Sequence, residues 1–186
     1  MDATTFQQAL RNCIQQLTHH PQSALADLFD LTAQRLVRYA STIAGNQSDA
    51  EDALQAVFSL LARDPRYITA ALSPWPYLIR SIRNETLRIL RKNSRNGPLR
   101  ADPANTAPHH NSNPAHELLT EEISQHVRRI LQSLPPEQAE VVLLKHWEEL
   151  TFAEIADSLN LSQNTVASRY RYALEKLQRS LEPLIR

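Results

Sequence analysis

Residues 151–177 read TFAEIADSLNLSQNTVASRYRYALEKL. Thr151 followed three positions later by Glu154 forms a capping box, which opens a short helix ending near Leu159. Asn160 tolerates the left-handed conformation, and Ser162 can cap a final helix from about Gln163 to Leu181. Two helices joined by Asn160-Leu161-Ser162 make helix-turn-helix geometry. At about 100° per residue, the last helix gathers Val166, Tyr170, Ala173, Leu174 and Leu177 on one face. Gln163, Asn164, Thr165, Ser168, Arg169, Arg171, Tyr172 and Lys176 fall outside that face. Short hydrogen-bonding side chains near the helix start, with arginines further along, suit base edges and phosphates respectively. An ordinary helical hairpin with one solvated face gives the same partition.

Working outward, Pro135-Pro136 starts a helix running to about Trp147. Before it lies a stretch that breaks the helical pattern. Residues 93–116 hold four prolines, five asparagines and one large apolar residue, Leu99, so they cannot bury enough surface to fix themselves. They read as a flexible linker between a first helical domain, 1–92, and a second, 117–186. Its His109-His110 pair has no neighbouring carboxylate or cysteine and is expected to be solvated. Charge divides unevenly across the chain: net +2 in 1–92, +1 in the linker and −3 in 117–186. Within 80–100 there are seven basic residues and a single acid, Glu85.

Three helices are expected in the first domain beyond an amphipathic segment at 1–21 carrying Phe6, Leu10, Cys13, Ile14 and Leu17. One spans about 22–44 and ends at Gly45-Asn46. The next opens at Ser48-Asp49-Ala50-Glu51, read as a capping box, and carries Ala53, Leu54, Val57, Phe58 and Leu61 inward. Its Asp49, Glu51, Asp52 and Gln55 form an acidic, hydrogen-bonding face. Acids in a first turn complement the helix dipole, and a protein-docking surface is the functional reading. A third helix, about 75–92, puts Arg80, Asn84, Arg88 and Arg91 on one face, flanked by Arg83 and Lys92. Leu78, Ile79, Ile82, Ile89 and Leu90 lie opposite. With Trp75 and Tyr77 at its start, this helix offers phosphate contacts beside stacking surfaces, as binding or unpairing nucleic acid requires. A solvated basic face with both aromatics as core anchors is the bland alternative.

Composition excludes several classes. The chain has 186 residues, zero formal net charge and only two glycines, so it holds no glycine-rich phosphate loop or dinucleotide fingerprint. One cysteine, Cys13, cannot form an internal disulfide, and no Cys/His cluster has zinc spacing, so neither metal nor cofactor is expected. No nucleophile–base constellation suggests an enzyme. No apolar run approaches the ~20 residues that span a bilayer, and the first residues lack a signal-peptide pattern. A soluble, cytoplasmic, all-α protein of two small helical domains is expected.

These pieces, in this order, resemble bacterial RNA polymerase sigma factors of the short, extracytoplasmic-function type. Ala50-Glu51-Asp52-Ala53-Leu54-Gln55-Ala56-Val57-Phe58 is similar to the family's A-E-D-x-x-Q-x-x-F segment. Tyr77-Leu78-Ile79-Arg80-Ser81-Ile82-Arg83-Asn84, followed by Arg91, is similar to W-L-x-x-I-x-R-N-x₆-R. Leu134-Pro135-Pro136-Glu137-Gln138, Glu154-Ile155-Ala156 and Thr165-Val166-Ala167-Ser168-Arg169 look like L-P-x-x-x, E-I-A and T-V-x-S-R.

The resemblance implies core RNA polymerase and promoter DNA as partners, and admits an anti-sigma protein as a third. Asp52 and Gln55, with Asp49 beside them, would face the clamp helices of the polymerase's largest subunit. Tyr77, Arg80, Arg83, Asn84, Arg88 and Arg91 would approach the −10 element and help melt it. Gln163, Asn164, Thr165, Ser168, Arg169, Arg171 and Tyr172 would read or clamp the −35 element. Three positions depart from the pattern. Tyr77 stands where Trp is usual, with Trp75 two residues earlier; Arg88 replaces an Asp; and Glu149 replaces a Gly, which predicts a different turn. Two other readings remain at this point: a conventional helix-turn-helix regulator, or a helical adaptor that sequesters a protein partner.

Overall fold

The computed structural model describes residues 3–95 and 133–181, and all regular structure within them is helical. The chain divides into two units, whose bodies lie in those two stretches. This is the all-α, two-part architecture expected from the helical periodicities. The expected linker lies outside the described residues except for its first three positions. Those three belong to a helix instead, since the arginine-bearing helix continues to Arg95.

The first unit contains α1 (Ala3–Gln16), α2 (Pro21–Ala44), α3 (Gln47–Arg63), α4 (Arg66–Thr69) and α5 (Pro74–Arg95). Helix α2 buries Ala24, Leu28, Thr32, Leu36, Tyr39 and Ala40, a stripe at three- and four-residue spacing that α3 and α5 cover. The hydroxyl of Thr32 in that stripe is satisfied locally, Oγ1 donating to the Leu28 carbonyl at 2.7 Å. Thr86 of α5 does the same to Ile82 at 2.8 Å. Helix α1 is part of this core. Phe6, Leu10, Ile14 and the following Leu17 are all buried, each worth about 1.5–3 kcal/mol of apolar burial.

Local signals explain the joints. Gly45 ends α2 at φ 74°, a left-handed conformation that glycine adopts without penalty. The cap of α3 differs from the expected Ser48. The helix begins at Gln47, and Asn46 is the N-cap, its Oδ1 accepting from the Asp49 amide at 2.8 Å. Both residues are good caps. Gly45 turns the chain so that Asn46 is the one with extended backbone at the helix entrance. Short α4 follows a local clasp in which Arg66 Nε and Nη2 donate to Asp64 at 2.8 Å, lowering the Asp64 pKa.

The second unit contains α6 (Pro136–His146), α7 (Phe152–Leu159) and α8 (Gln163–Leu181). Val141, Leu144, Leu150, Ile155, Val166 and Ala173 are buried. Ala139, Tyr170 and Leu177 pack against a cluster of Leu134, Val142 and Ala173. Leu174 departs from the expected inward face and is exposed, whereas Ala173 and Leu177 beside it pack against Leu134, Ala139 and Val142. At the entrance to α7 the capping box forms in full. Glu154 N donates to Thr151 Oγ1 at 3.2 Å, and Thr151 N donates to Glu154 Oε2 at 2.8 Å.

Candidate protein and nucleic-acid interfaces

Three surfaces carry the residues singled out by sequence. On α3, burial of Ala50, Ala53, Leu54, Val57, Phe58 and Leu61 fixes the helix's rotation. That rotation leaves Asp52 and Gln55 exposed. Beside Gln55 lies an open groove of about 700 Å³ between α2 and α3, whose apolar floor includes Phe29, Val37, Leu54 and Phe58. Phe29 meets Phe58 edge to face at 5.0 Å, yet stays two-fifths exposed. Sequence reasoning missed this groove, because Phe29 and Val37 belong to a different helix from the acidic face. Asp49 is not grouped with Asp52 and Gln55: it is half-buried and engaged by Asn46 and Asn93.

On α5, Trp75, Leu78, Ile79 and Ile82 are buried and Asn84, Arg88 and Arg91 are exposed. Tyr77, Arg80 and Arg83 are half-buried. Arg88 forms a fork with Glu85, the lone acid of this stretch, through Nε–Oε2 at 2.8 Å and Nη2–Oε1 at 2.5 Å. That hydrogen bonding raises the Arg88 pKa. The expected stacking role of Trp75 fails. Its ring is 1% exposed, meets Phe6 edge to face at 4.9 Å, and has the Arg35 guanidinium 5.1 Å from its centroid. The cause is α1, which lays Phe6 over it. Trp75 is a core anchor, and Tyr77 is the accessible aromatic at this end.

On α8, the N-terminus is built by Ser162, whose Oγ accepts from Thr165 N at 3.1 Å and pairs with Thr165 Oγ1 at 2.8 Å. Asn160 takes φ 55° and Leu161 N donates to the Ala156 carbonyl at 2.9 Å, closing α7 in a Schellman-type turn. Gln163 and Asn164 project from the first turn in the open, while Ser168 turns its hydroxyl back to the Asn164 carbonyl at 2.8 Å. Arg169 is held by Glu137, Nη2–Oε2 at 2.6 Å. Arg171 approaches Glu175 at 4.0 Å and lies over the Tyr172 ring, 5.1 Å from its centroid. Tyr170, by contrast, is fixed inside the unit by His146 Nε2 at 2.8 Å and by Phe152. Sequence reasoning names Glu137 within its motif but misses its pairing with Arg169, because no local pattern links positions some thirty residues apart. The turn at Glu149 keeps φ 56°, the region a glycine favours, so this departure does not send the backbone elsewhere.

A helical domain with an outward acidic face and a basic helix, followed by a helix-turn-helix unit, defines a class of DNA-binding transcription proteins. Comparison with known proteins makes this specific. Residues 28–96 match the family model for sigma-70 region 2, and residues 124–177 match that for sigma-70 region 4, between them more than half of the chain. The chain is 28% identical over 185 residues to the ECF RNA polymerase sigma factor SigW of Bacillus subtilis, covering 94% of this chain and 98% of that one. It is 36% identical over 75 residues to the ECF RNA polymerase sigma-E factor of Escherichia coli K12, 40% of this chain and 39% of that one. Among solved structures, CnrH in complex with the cytosolic domain of CnrY shares the fold. It has a TM-score of 0.61, 20% identity, and coverage of 94% of this chain and 98% of CnrH. The chain belongs to the sigma-70 family, as a sigma factor of the ECF type. It binds core RNA polymerase and directs it to promoter DNA for transcription initiation. No described helix is long and apolar enough to cross a membrane.

Proposed function

We propose that the three surfaces divide the work of initiation. Asp52 and Gln55 dock on the clamp helices of the polymerase's largest subunit. Tyr77, Arg80, Arg83, Asn84, Arg88 and Arg91 hold the −10 element as it opens, the arginines on phosphates and Tyr77 beside an unpaired base. Gln163 and Asn164 read base edges of the −35 element, with Thr165, Ser168, Arg169, Arg171 and Tyr172 fixing the helix against the backbone. The first unit, expected within 1–92, serves docking and opening; the second, expected within 117–186, serves −35 binding; residues 93–116 connect them. The protein works in the cytoplasm without catalysis of its own. An anti-sigma protein is a third partner, as CnrH is found in complex with the cytosolic domain of CnrY.

One observation supports this reading above the others. In each of the three motif segments the large aliphatic positions are buried in the core, while most of the motif's polar positions lie exposed or half-exposed. Run-off transcription with core polymerase on a genomic pool of promoter fragments tests it. Asp52→Ala with Gln55→Ala is expected to abolish the new transcripts while duplex binding by the second unit's residues persists. Unchanged transcripts would remove Asp52 and Gln55 from the docking surface.

A further inference from the structure

Asp49 shares a helix with Asp52 and Gln55, but its surroundings set it apart. Asn46 Nδ2 donates to Asp49 Oδ2 at 3.0 Å, and the Asp49 amide donates back to Asn46 Oδ1 at 2.8 Å. From the far end of α5, Asn93 Nδ2 donates to both carboxylate oxygens, at 3.2 and 3.3 Å. One carboxylate therefore joins the first turn of α3 to the last turn of α5.

That last turn needs an anchor. Thr86 is the final fully buried residue of α5, and Asn93 lies about two turns beyond it. Ile89 and Leu90 are only half-buried there, while Arg88, Arg91, Lys92 and Arg95 bring four cations to the same stretch. Like charges three and four residues apart repel, and helix ends with little packing fray. A carboxylate accepting from Asn93 opposes both tendencies. It supplies a hydrogen bond where core contacts have thinned, and negative potential beside the cations.

We propose that Asp49 is a positioning residue for the basic end of α5, pinning it to α3 so that Arg91 and Lys92 keep a fixed register on the promoter strand. Asp49 does not dock on polymerase. The part that concerns DNA rests on the reading of α5 given above.

Full-length Asp49→Ala, Asn93→Ala, their double variant and the exchanged pair Asp49→Asn/Asn93→Asp test the pin. Three readouts are needed: hydrogen exchange of the 88–95 amides, affinity for core polymerase, and opening of a promoter fragment obtained from the genomic run-off pool. Each single Ala variant is expected to speed exchange across 88–95 and to slow opening by about 3- to 10-fold, the size of one net hydrogen bond or slightly more. Core affinity should stay within about two-fold by the same measure, because the change removes no docking contact. The double Ala variant should be no worse than either single one. The exchanged pair puts the donating amide on α3 and the accepting carboxylate on α5, and should recover most of the loss. A fall in core affinity like that of Asp52→Ala, additive single effects, or unmoved exchange in 88–95 would overturn the proposal. If exchange responds as expected but neither Asp49→Ala nor Arg91→Ala slows opening, the pin stands and the reading of α5 as the opening helix falls.

Discussion

Helices α5 and α8 are both amphipathic, both basic on the outside, and both belong to a family that binds promoters, yet they are built on opposite terms. Behind α5 stand Trp75, Leu78, Ile79 and Ile82, all essentially without solvent contact. Behind α8 only Val166 and Ala173 are fully buried among the described residues, with Tyr170 and Leu177 half-covered. The deeper anchor lets α5 carry arginines at 80, 83, 88 and 91 despite repulsion of a few tenths of a kcal/mol per neighbouring pair, about 0.2–0.5. Both helices settle some of this charge on carboxylates, Arg88 on Glu85 in α5, and Arg169 on Glu137 and Arg171 near Glu175 in the shallower α8. What α8 leaves open at its start is Gln163 and Asn164, whose amides carry hydrogen-bond direction but no charge. A helix with a large core behind it can give its surface to charge; one with a small core gives it to shape and hydrogen bonding.

The largest expected effect tests the anchor itself. Trp75→Ala should destabilise the first unit by about 3–5 kcal/mol, the usual range for emptying a buried tryptophan site. Trp75→Phe should cost clearly less, because it keeps the edge contact with Phe6 and removes an indole Nε1 that is buried without a hydrogen-bond partner among the described residues. Both variants leave Trp147 as the one tryptophan of the chain, so fluorescence follows the second unit while circular dichroism follows both. Urea unfolding followed by fluorescence and circular dichroism therefore resolves which unit moves. If Trp75→Ala leaves the first unit's midpoint unchanged, the contrast in core depth is wrong.

Next come the two modes of DNA contact proposed for these helices. Asn164→Ala should cost about 1–3 kcal/mol at one base pair of the −35 element, and little elsewhere, as loss of a base-edge contact does. Arg91→Ala should weaken binding to every sequence alike and reduce the slope of log affinity against log salt by about 0.7–0.9. Salt titrations of polymerase holoenzyme on matched promoter variants separate the two. A sequence-selective loss at Arg91, or a salt-slope change at Asn164, would invert the comparison.

Much of this is legible in the sequence. The buried stripes of α2, α3 and α5 are legible because three- and four-residue spacing reports burial directly. The helix-turn-helix is legible because Thr151, Asn160 and Ser162 each act through bonds to residues no more than four or five positions away. Failures share the opposite property. The burial of Trp75 depends on α1, and the engagement of Arg169 depends on Glu137, which lies at the start of α6. The bond that Asp49 accepts from Asn93 is hidden in the same way, because Asn93 lies at the far end of α5. The choice of Asn46 over Ser48 as cap is a tie in propensity that Gly45's left-handed φ decides.

The smallest effect concerns the turns that flank the helix-turn-helix. Glu149 and Asn160 hold nearly the same backbone, φ 56° and φ 55°, one at the exit from α6 and one between α7 and α8. Asparagine visits this region readily because its short side chain can hydrogen-bond locally, whereas glutamate incurs the steric penalty of about 1 kcal/mol or more between Cβ and the carbonyl oxygen. Replacing either by glycine adds unfolded-state entropy worth about 0.4–1 kcal/mol against folding. At Asn160 there is little strain to relieve, so the entropy leaves at most a small loss, whereas at Glu149 the relief of strain leaves a gain. Glu149→Gly should therefore stabilise the second unit by up to about 1 kcal/mol, while Asn160→Gly is neutral or slightly destabilising. Trp147 fluorescence during urea unfolding reads both. Equal shifts would mean that the glutamate carries no strain, and that its side chain compensates through contacts a glycine gives up.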